Sequence, residues 1–251
     1  TARNWAATGG ASVANATAVS TGITFPNAGT QTVTLMAGNA TGTATTTRIV
    51  NVIAGPANYA STYQESFEPV GLPANWNVIN ASGTPWQQYF GAAASGSNSY
   101  YIQGAINPNG AIDILQTPSY DFLGNPGTTF TFKYAYRQKS STHLDVLKVQ
   151  ASSNCGGSWS DIYSMTASSM QSGSGGVGTT AFVPTPGQFK SYTLTLHPAF
   201  NSFKLQSNVK IRFHFTEDPT AGFGNNVFLD DININTPLGV NELTQSIYLV
   251  L

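Results

Sequence analysis

Residues along this chain alternate apolar with polar at a period of two, and helical periodicity is nearly absent. The runs 31–37, 129–136, 145–151, 191–196 and 209–216 show it most clearly. That is the period of a half-buried strand, whose successive side chains point to opposite faces. Clusters of Gly, Pro, Asn and Ser separate the runs. Many short strands closed by turn signals restrict the chain to a sandwich or a barrel. In the 209–216 run Ile211, Phe213 and Phe215 share one face, while Arg212, His214 and Thr216 share the other. His214 is therefore expected on the solvent face or on a groove wall.

Charge narrows the class further. Charged residues are 8% of the 251, against about 25% in an ordinary soluble domain. A surface built on Ser, Thr, Asn, Gln and Gly suits an exported β-protein, so a secreted or cell-surface location is expected. Net charge is -1 and the basic residues are scattered, which excludes a phosphate-neutralising patch and argues against nucleic acid as a partner. No apolar run approaches the ~20 residues of a membrane span, and no basic amphipathic segment would bind a membrane surface. The single cysteine, Cys155, excludes a disulfide scaffold, so stability must come from the core and from metal ions. Cys155 reads as a small, half-buried turn residue.

A boundary falls near 54–57. Residues 1–54 are rich in Thr and Ala and lack Asp and Glu, residues 55–62 read as a linker, residues 63–236 as a sandwich, and residues 237–251 as a second linker followed by a truncated strand. The Ser/Gly/Pro-rich segment 167–188 reads as a long surface loop. The chain starts in mid-pattern, as a fragment of a longer precursor would.

Two resemblances sharpen this picture. Residues 22–53, with Trp5 as a core tryptophan, resemble the second half of a PKD domain, an immunoglobulin-like sandwich. Residues 65–235 resemble the cleaved-adhesin and MAM-like jelly rolls of exported bacterial proteins. The second likeness rests on Glu65-Ser66-Phe67-Glu68, Gly71-Leu72-Pro73, Trp76, Trp86, and the segments 116–122, 130–136, 154–159 and 228–232. The tail 239–243 resembles the start of a type IX secretion sorting domain, which implies the secretion machinery as a partner. The whole arrangement resembles the C-terminal half of secreted pappalysin-type zinc metalloproteases of Bacteroidetes. Such a parent would carry its active site upstream. The fold class expected is all-β, a partial immunoglobulin-like sandwich followed by a β-jelly-roll sandwich.

Catalytic motifs are missing. There is no His-Glu-x-x-His, no Gly-x-Ser-x-Gly elbow and no phosphate-binding loop. Three acid pairs stand out, Glu65/Glu68, Glu217/Asp218 and Asp230/Asp231, yet the Glu-x-Asp-x-x-Glu pattern of jelly-roll glucanases is absent. The chain itself is therefore expected not to be an enzyme. Calcium fits the acids better, since it takes several hard oxygen ligands. Alternation places Glu65 with Phe67, and Asp230 with Phe228 and Ile232. If those apolar residues face the core, two carboxylates point inward on strands that pair, and a buried carboxylate demands a partner. Glu65, Glu68, Asp230 and Asp231 are the candidate metal ligands, with Asn80 and Asp121 as weaker ones, and the jelly-roll resemblance implies a structural calcium near these strands. The competing reading has the acids cap turns or pair with Arg212 or Lys133.

Aromatic residues are the candidate ligand-binding set. Trp86, Tyr89, Tyr134 and Tyr136 could stack on sugars or anchor a protein partner, although core packing competes for Trp76, Trp86 and Trp159. The expected function is a non-catalytic extracellular accessory or adhesion module that binds protein or carbohydrate and positions a secreted hydrolase. The alternative is a structural spacer that supports folding and type IX secretion of an upstream metalloprotease.

Overall fold

The computed structural model describes residues 2–27, 29–52, 62–80, 83–123, 127–154, 156–172 and 176–235. Cys155, residues 55–61 of the expected linker and the tail 237–251 lie outside these residues. The chain forms two compact units, Thr1–Ala57 and Asn58–Leu251.

In the first unit β1 (Ala2–Ala7), β4 (Gly29–Asn39) and β5 (Gly42–Val52) form an antiparallel sheet in the order β1-β4-β5, and β2 (Ser12–Val13) pairs with β3 (Ile23–Thr24) in a separate ribbon. The long β4–β5 hairpin turns where Asn39 Oδ1 accepts the Thr41 N–H at 2.9 Å, a local bond that competes with continued extension. Trp5 stands opposite Leu35, and Ala7 opposite Val33. Trp5, Val33 and Leu35 line a groove of about 450 Å³. Among the described residues of this unit only Gln31 is buried, at 8% exposure, so the described strands enclose no apolar core of their own.

The second unit is a β-jelly-roll sandwich. Its strands are β6 (Thr62–Glu65), β7 (Asn77–Asn80), β8 (Gln87–Phe90), β9 (Asn98–Ile102), β10 (Ile112–Tyr120), β11 (Thr129–Tyr136), β12 (Val146–Ser152), β13 (Ser160–Thr166), β14 (Lys190–Thr193), β15 (Val209–Thr216) and β16 (Val227–Asn235). One sheet runs β13-β12-β15-β10-β7. The other runs β14-β11-β16-β9-β8, with β6 also paired to β16. The period-two pattern explains the core. Phe130, Phe132, Tyr134 and Tyr136 of β11 meet Val209, Ile211, Phe213 and Phe215 of β15, and all belong to one buried cluster. Phe132 and Phe213 touch edge to face, with centroids 5.0 Å apart, a preferred aromatic geometry. The expected facing of the 209–216 run holds, with Arg212 and His214 half-buried on the outer side.

Two expectations about facing fail, both through local backbone geometry. Val227, Leu229, Ile232 and Ile234 belong to the main core, whereas Phe228 packs in a second cluster with Ala92, Ala135 and Phe182. Phe228 and Asp230 thus lie on the opposite side of β16 from the inter-sheet core. The register jumps from Thr131↔Asn233 to Lys133↔Asp230, so β16 carries one extra residue at Asp231, where φ is 46°. A bulge of this kind inverts the alternation downstream of it. Phe67 is buried in the core, but outside β6 and at φ 55°, so counting by twos from it does not place Glu65. The segment 167–188 is also more than a surface loop. It includes the one-turn helix α1 (Ala167–Met170), with Ala167 and Met170 in the main core, and Phe182 packs against Phe228.

The bulge falls where β16 changes partners. β9 pairs with Val227–Leu229 and β6 with residues 232–235, end to end along one edge, while β11 lines the other.

Candidate functional site

Strand pairing lays a polar row across the outer face of the five-stranded sheet. Asp161 of β13 stands opposite Gln150 of β12, Gln150 opposite Arg212 of β15, Arg212 opposite Gln116 of β10, and Gln116 opposite Asn77 of β7. Each occupies the outward position of its strand, between inward core residues such as Val149, Ala151, Ile211, Phe213 and Leu115. At about 4.8 Å per strand the row is about 19 Å long.

The row is internally bonded. Gln150 Nε2 donates to Asp161 Oδ1, and Arg212 Nε donates to Gln150 Oε1 at 2.6 Å. Lys148, one position along β12, pairs with Asp161 at 2.8 Å. Those bonds from Lys148 and then Gln150 hold the Asp161 carboxyl below its usual range. Burial, then the Arg212 and Lys148 charges, push the His214 imidazole below its usual value. Arg212 lies 4.2 Å from the centroid of the Trp159 ring, within cation–π range, and Trp159 is itself anchored by Nε1–H to the Gly156 carbonyl at 3.1 Å. Trp159 is half-exposed, not in the core where it is expected. The arrangement offers an aromatic surface beside a fixed line of donors and acceptors.

The residues expected to bind ligand lie elsewhere. Trp86 is buried and donates to the Asp113 carbonyl. Tyr134 and Tyr136 are buried in the main core. Tyr89 is half-buried and packs edge to face on Tyr101 and Phe228. Their alternation is that of core strands, and the aromatic surface they carry is spent on packing.

The four acids expected to hold calcium are each taken up by donors. Glu65 Oε1 accepts the Phe67 N–H at 2.7 Å, and Oε2 accepts the Tyr63 hydroxyl at 3.3 Å. Glu68 Oε1 accepts the N–H groups of Ser97 and Asn98. Asp230 accepts from Ala94 N and Ser95 N on one oxygen and from Asp231 N on the other. Asp231 pairs with Lys133 at 2.8 Å. Among the described residues no three His, Cys, Asp or Glu side chains form a group that could hold a metal ion. Six backbone N–H bonds, the Tyr63 hydroxyl and the Lys133 ammonium already compensate these four carboxylates, so the set does not fit a calcium site. The turn-capping and Lys133-pairing reading is the one this geometry matches. The weaker candidates behave the same way: Asp121 Oδ1 accepts the Leu123 N–H, and Asn80 Nδ2 donates to the Gly83 carbonyl.

Sequence reading missed Asp161, Gln150, Lys148, Gln116 and Asn77 as a row. Alternation identified Arg212 as outward-facing, but which outward residues adjoin it is decided by strand order.

As a sequence, the chain matches no known protein family and no curated protein. Among solved structures it is similar to the K1 cleaved adhesin domain of Lys-gingipain from Porphyromonas gingivalis, at 20% identity and a TM-score of 0.45, over 70% of this chain and 98% of that one. The K3 cleaved adhesin domain of the same protein is similar at 19% identity and a TM-score of 0.47, over 69% and 97%. The C-terminal family 22 carbohydrate-binding module of Clostridium thermocellum Xyn10B is similar at 16% identity and a TM-score of 0.41, over 72% and 97%. No helix among the described residues is long and apolar enough to cross a membrane.

Proposed function

We propose that the second unit is a non-catalytic extracellular binding module that receives an uncharged carbohydrate chain on the outer face of its five-stranded sheet and so positions the protein that carries it. The observation that carries this reading is the row Asp161–Gln150–Arg212–Gln116–Asn77 with Trp159 beside Arg212. Sugar hydroxyls both donate and accept, and amide, guanidinium and carboxylate groups held in a line satisfy both roles. An aromatic ring packs against the apolar face of a pyranose. The row and its neighbours hold Arg212, Lys148 and Asp161 as charges, which partly compensate one another. Such a face favours a neutral polar ligand over a phosphate backbone.

A glycan array on the whole chain, paired with a pull-down on extracellular matrix proteins, tests the reading, followed by titration calorimetry on any hit. Trp159→Ala and Arg212→Ala should each weaken carbohydrate binding at least about tenfold, equivalent to ~1.4 kcal/mol. Tyr89→Ala, on the other sheet, should leave it unchanged. Carbohydrate binding retained by both row variants would place the ligand elsewhere. A blank array with a matrix protein captured would transfer the function to a protein partner.

A further inference from the structure

The outer face of the five-stranded sheet changes character one step along its strands. Residues two apart on a strand share a face and stand about 7 Å from each other. Two positions from Asn77, Gln116, Arg212 and Gln150 stand Ile79, Ile114, His214 and Lys148. Pairing sets Ile79 opposite Ile114, Ile114 opposite His214, and His214 opposite Lys148. A second row therefore runs beside the polar one. In the next row Ile112 and Val146 flank Thr216. Ile112, Ile114 and Val146 are half-buried and Ile79 is 40% exposed, whereas Asp113, Leu115 and Leu147 beside them are 0% exposed. The four aliphatic chains thus turn away from the core.

Strand propensity does not require them. Threonine supplies the same branching at Cβ and is equally at home in a strand, and β5 uses it at Thr43, Thr45, Thr46 and Thr47. Isoleucine in its place adds apolar surface, and here that surface adjoins the polar row. His214 stands where the aliphatic strip ends. Its Nδ1 lies 3.4 Å from Thr216 Oγ1. With that nitrogen accepting the hydroxyl hydrogen, Nε2 carries the ring hydrogen and is the ring's remaining donor. On the far side of His214, Lys148 is already paired with Asp161 at 2.8 Å.

We infer that the carbohydrate received on this face is acetylated, with acetyl methyl groups packed on Ile79, Ile112 and Ile114 and an acetyl carbonyl accepting from His214 Nε2–H. This rests on the carbohydrate reading of the polar row and names the ligand class for that same face. An acetyl group joins an apolar methyl to an acceptor oxygen and carries no charge. A strip of isoleucines closed by one donor matches all three properties. A bare hydroxyl on that side would meet aliphatic carbon and lose its hydrogen bonds to water. A carboxylate there would have to compete with Asp161 for Lys148. A substituent has to reach only about 7 Å from a ring seated on the row.

The test titrates the whole chain, by calorimetry, with two matched pairs of glycans. Chitohexaose against cellohexaose isolates the N-acetyl group, and a partially O-acetylated glucomannan against the same polymer after saponification isolates the O-acetyl group. The acetylated member of at least one pair should bind about tenfold tighter, the lower end of what one added carbon supplies in an apolar site; which pair responds identifies the linkage. Ile79→Thr with Ile114→Thr, and separately His214→Ala, should cut that preference to below about threefold, while Phe90→Ala on the other sheet keeps it. Saturation-transfer NMR on the unmutated protein supplies a second readout, in which the acetyl methyl protons should receive the strongest saturation. Equal binding within both pairs, or saturation confined to ring protons, would overturn the acetyl inference and leave the row's carbohydrate reading standing. A preference that survives the double threonine variant would overturn it as well. Binding of no member overturns it too, and a blank glycan array alongside would remove the carbohydrate reading itself.

Discussion

Phe228 offers a direct check on the inverted facing of β16. It is 0% exposed, yet it lies outside the inter-sheet core. Its ring stacks on Tyr101 at 5.3 Å and meets Tyr89, Phe182 and Phe189 edge to face at 5.3, 6.2 and 6.5 Å. Phe228→Ala removes the shared partner of all four rings. Truncating a fully buried phenylalanine costs about 3–5 kcal/mol once the cavity is counted. A β16 that sits between β11 and β9 cannot shift to refill the space, so about 4 kcal/mol is expected. For a unit of this size that is a fall of about 8–16 °C in unfolding temperature. Differential scanning calorimetry measures it, with Phe90→Ala as the control, since Phe90 is 60% exposed and should change stability by less than about 0.5 kcal/mol. Amide exchange carries the sharper signature. Residues 182–189 should lose protection in the variant ahead of 130–136 and 209–215, because the latter two are also held by the inter-sheet core. Loss below about 1 kcal/mol, or loosening of both regions together, would refute a separate outer cluster.

Gly96→Ala should destabilise the second unit by more than about 1 kcal/mol, since its φ is +68° and a Cβ would lie 2.2 Å from Glu68 Oε1; urea unfolding reads this, and an unchanged midpoint would contradict the Glu68 capping geometry. The Asp230 carboxyl is pushed from 3.8 up to about 6, by burial first. Folded and unfolded forms are both protonated below about pH 4 and both ionised above about pH 6. The stability contributed by the protonated native form is therefore lost as pH rises through that window. The stability difference between the natural chain and Asp230→Ala should accordingly narrow from pH 4 to pH 7, by at most about 3 kcal/mol; a difference that widens would reverse the assigned sign.

Alternation alone made the strands at 129–136 and 209–216 legible, because each keeps a strict period of two against a continuous core. It failed at 228–232 for the opposite reason. One inserted residue at Asp231 changes the parity, and nothing in Leu229-Asp230-Asp231-Ile232 marks the insertion. The acids at 65–68 and 230–231 were visible as pairs, and Lys133 was a legible partner for Asp231, but the other partners are mainly backbone N–H groups of 67, 94–98 and 231, which have no side-chain signature. Glu217 and Asp218 also stood out as a pair, yet they do different work. Asp218 binds its own loop, and Glu217 faces Asp145 across a strand boundary that only the sheet order reveals. Trp159 was expected in the core; its cation–π contact with the outward Arg212 needed the register between β12 and β15.

The end-to-end seating of β6 and β9 on β16 has a kinetic consequence. The first strand of the second unit and the last can register only after everything between them has been made. Closing so long a loop has an entropic cost that local contacts do not offset. The six-stranded sheet must therefore complete late, with β16 arriving as the piece that joins two otherwise unconnected edges. Until then β9 and β11 expose unpaired backbone, and the growing chain is most open to mispairing at that stage.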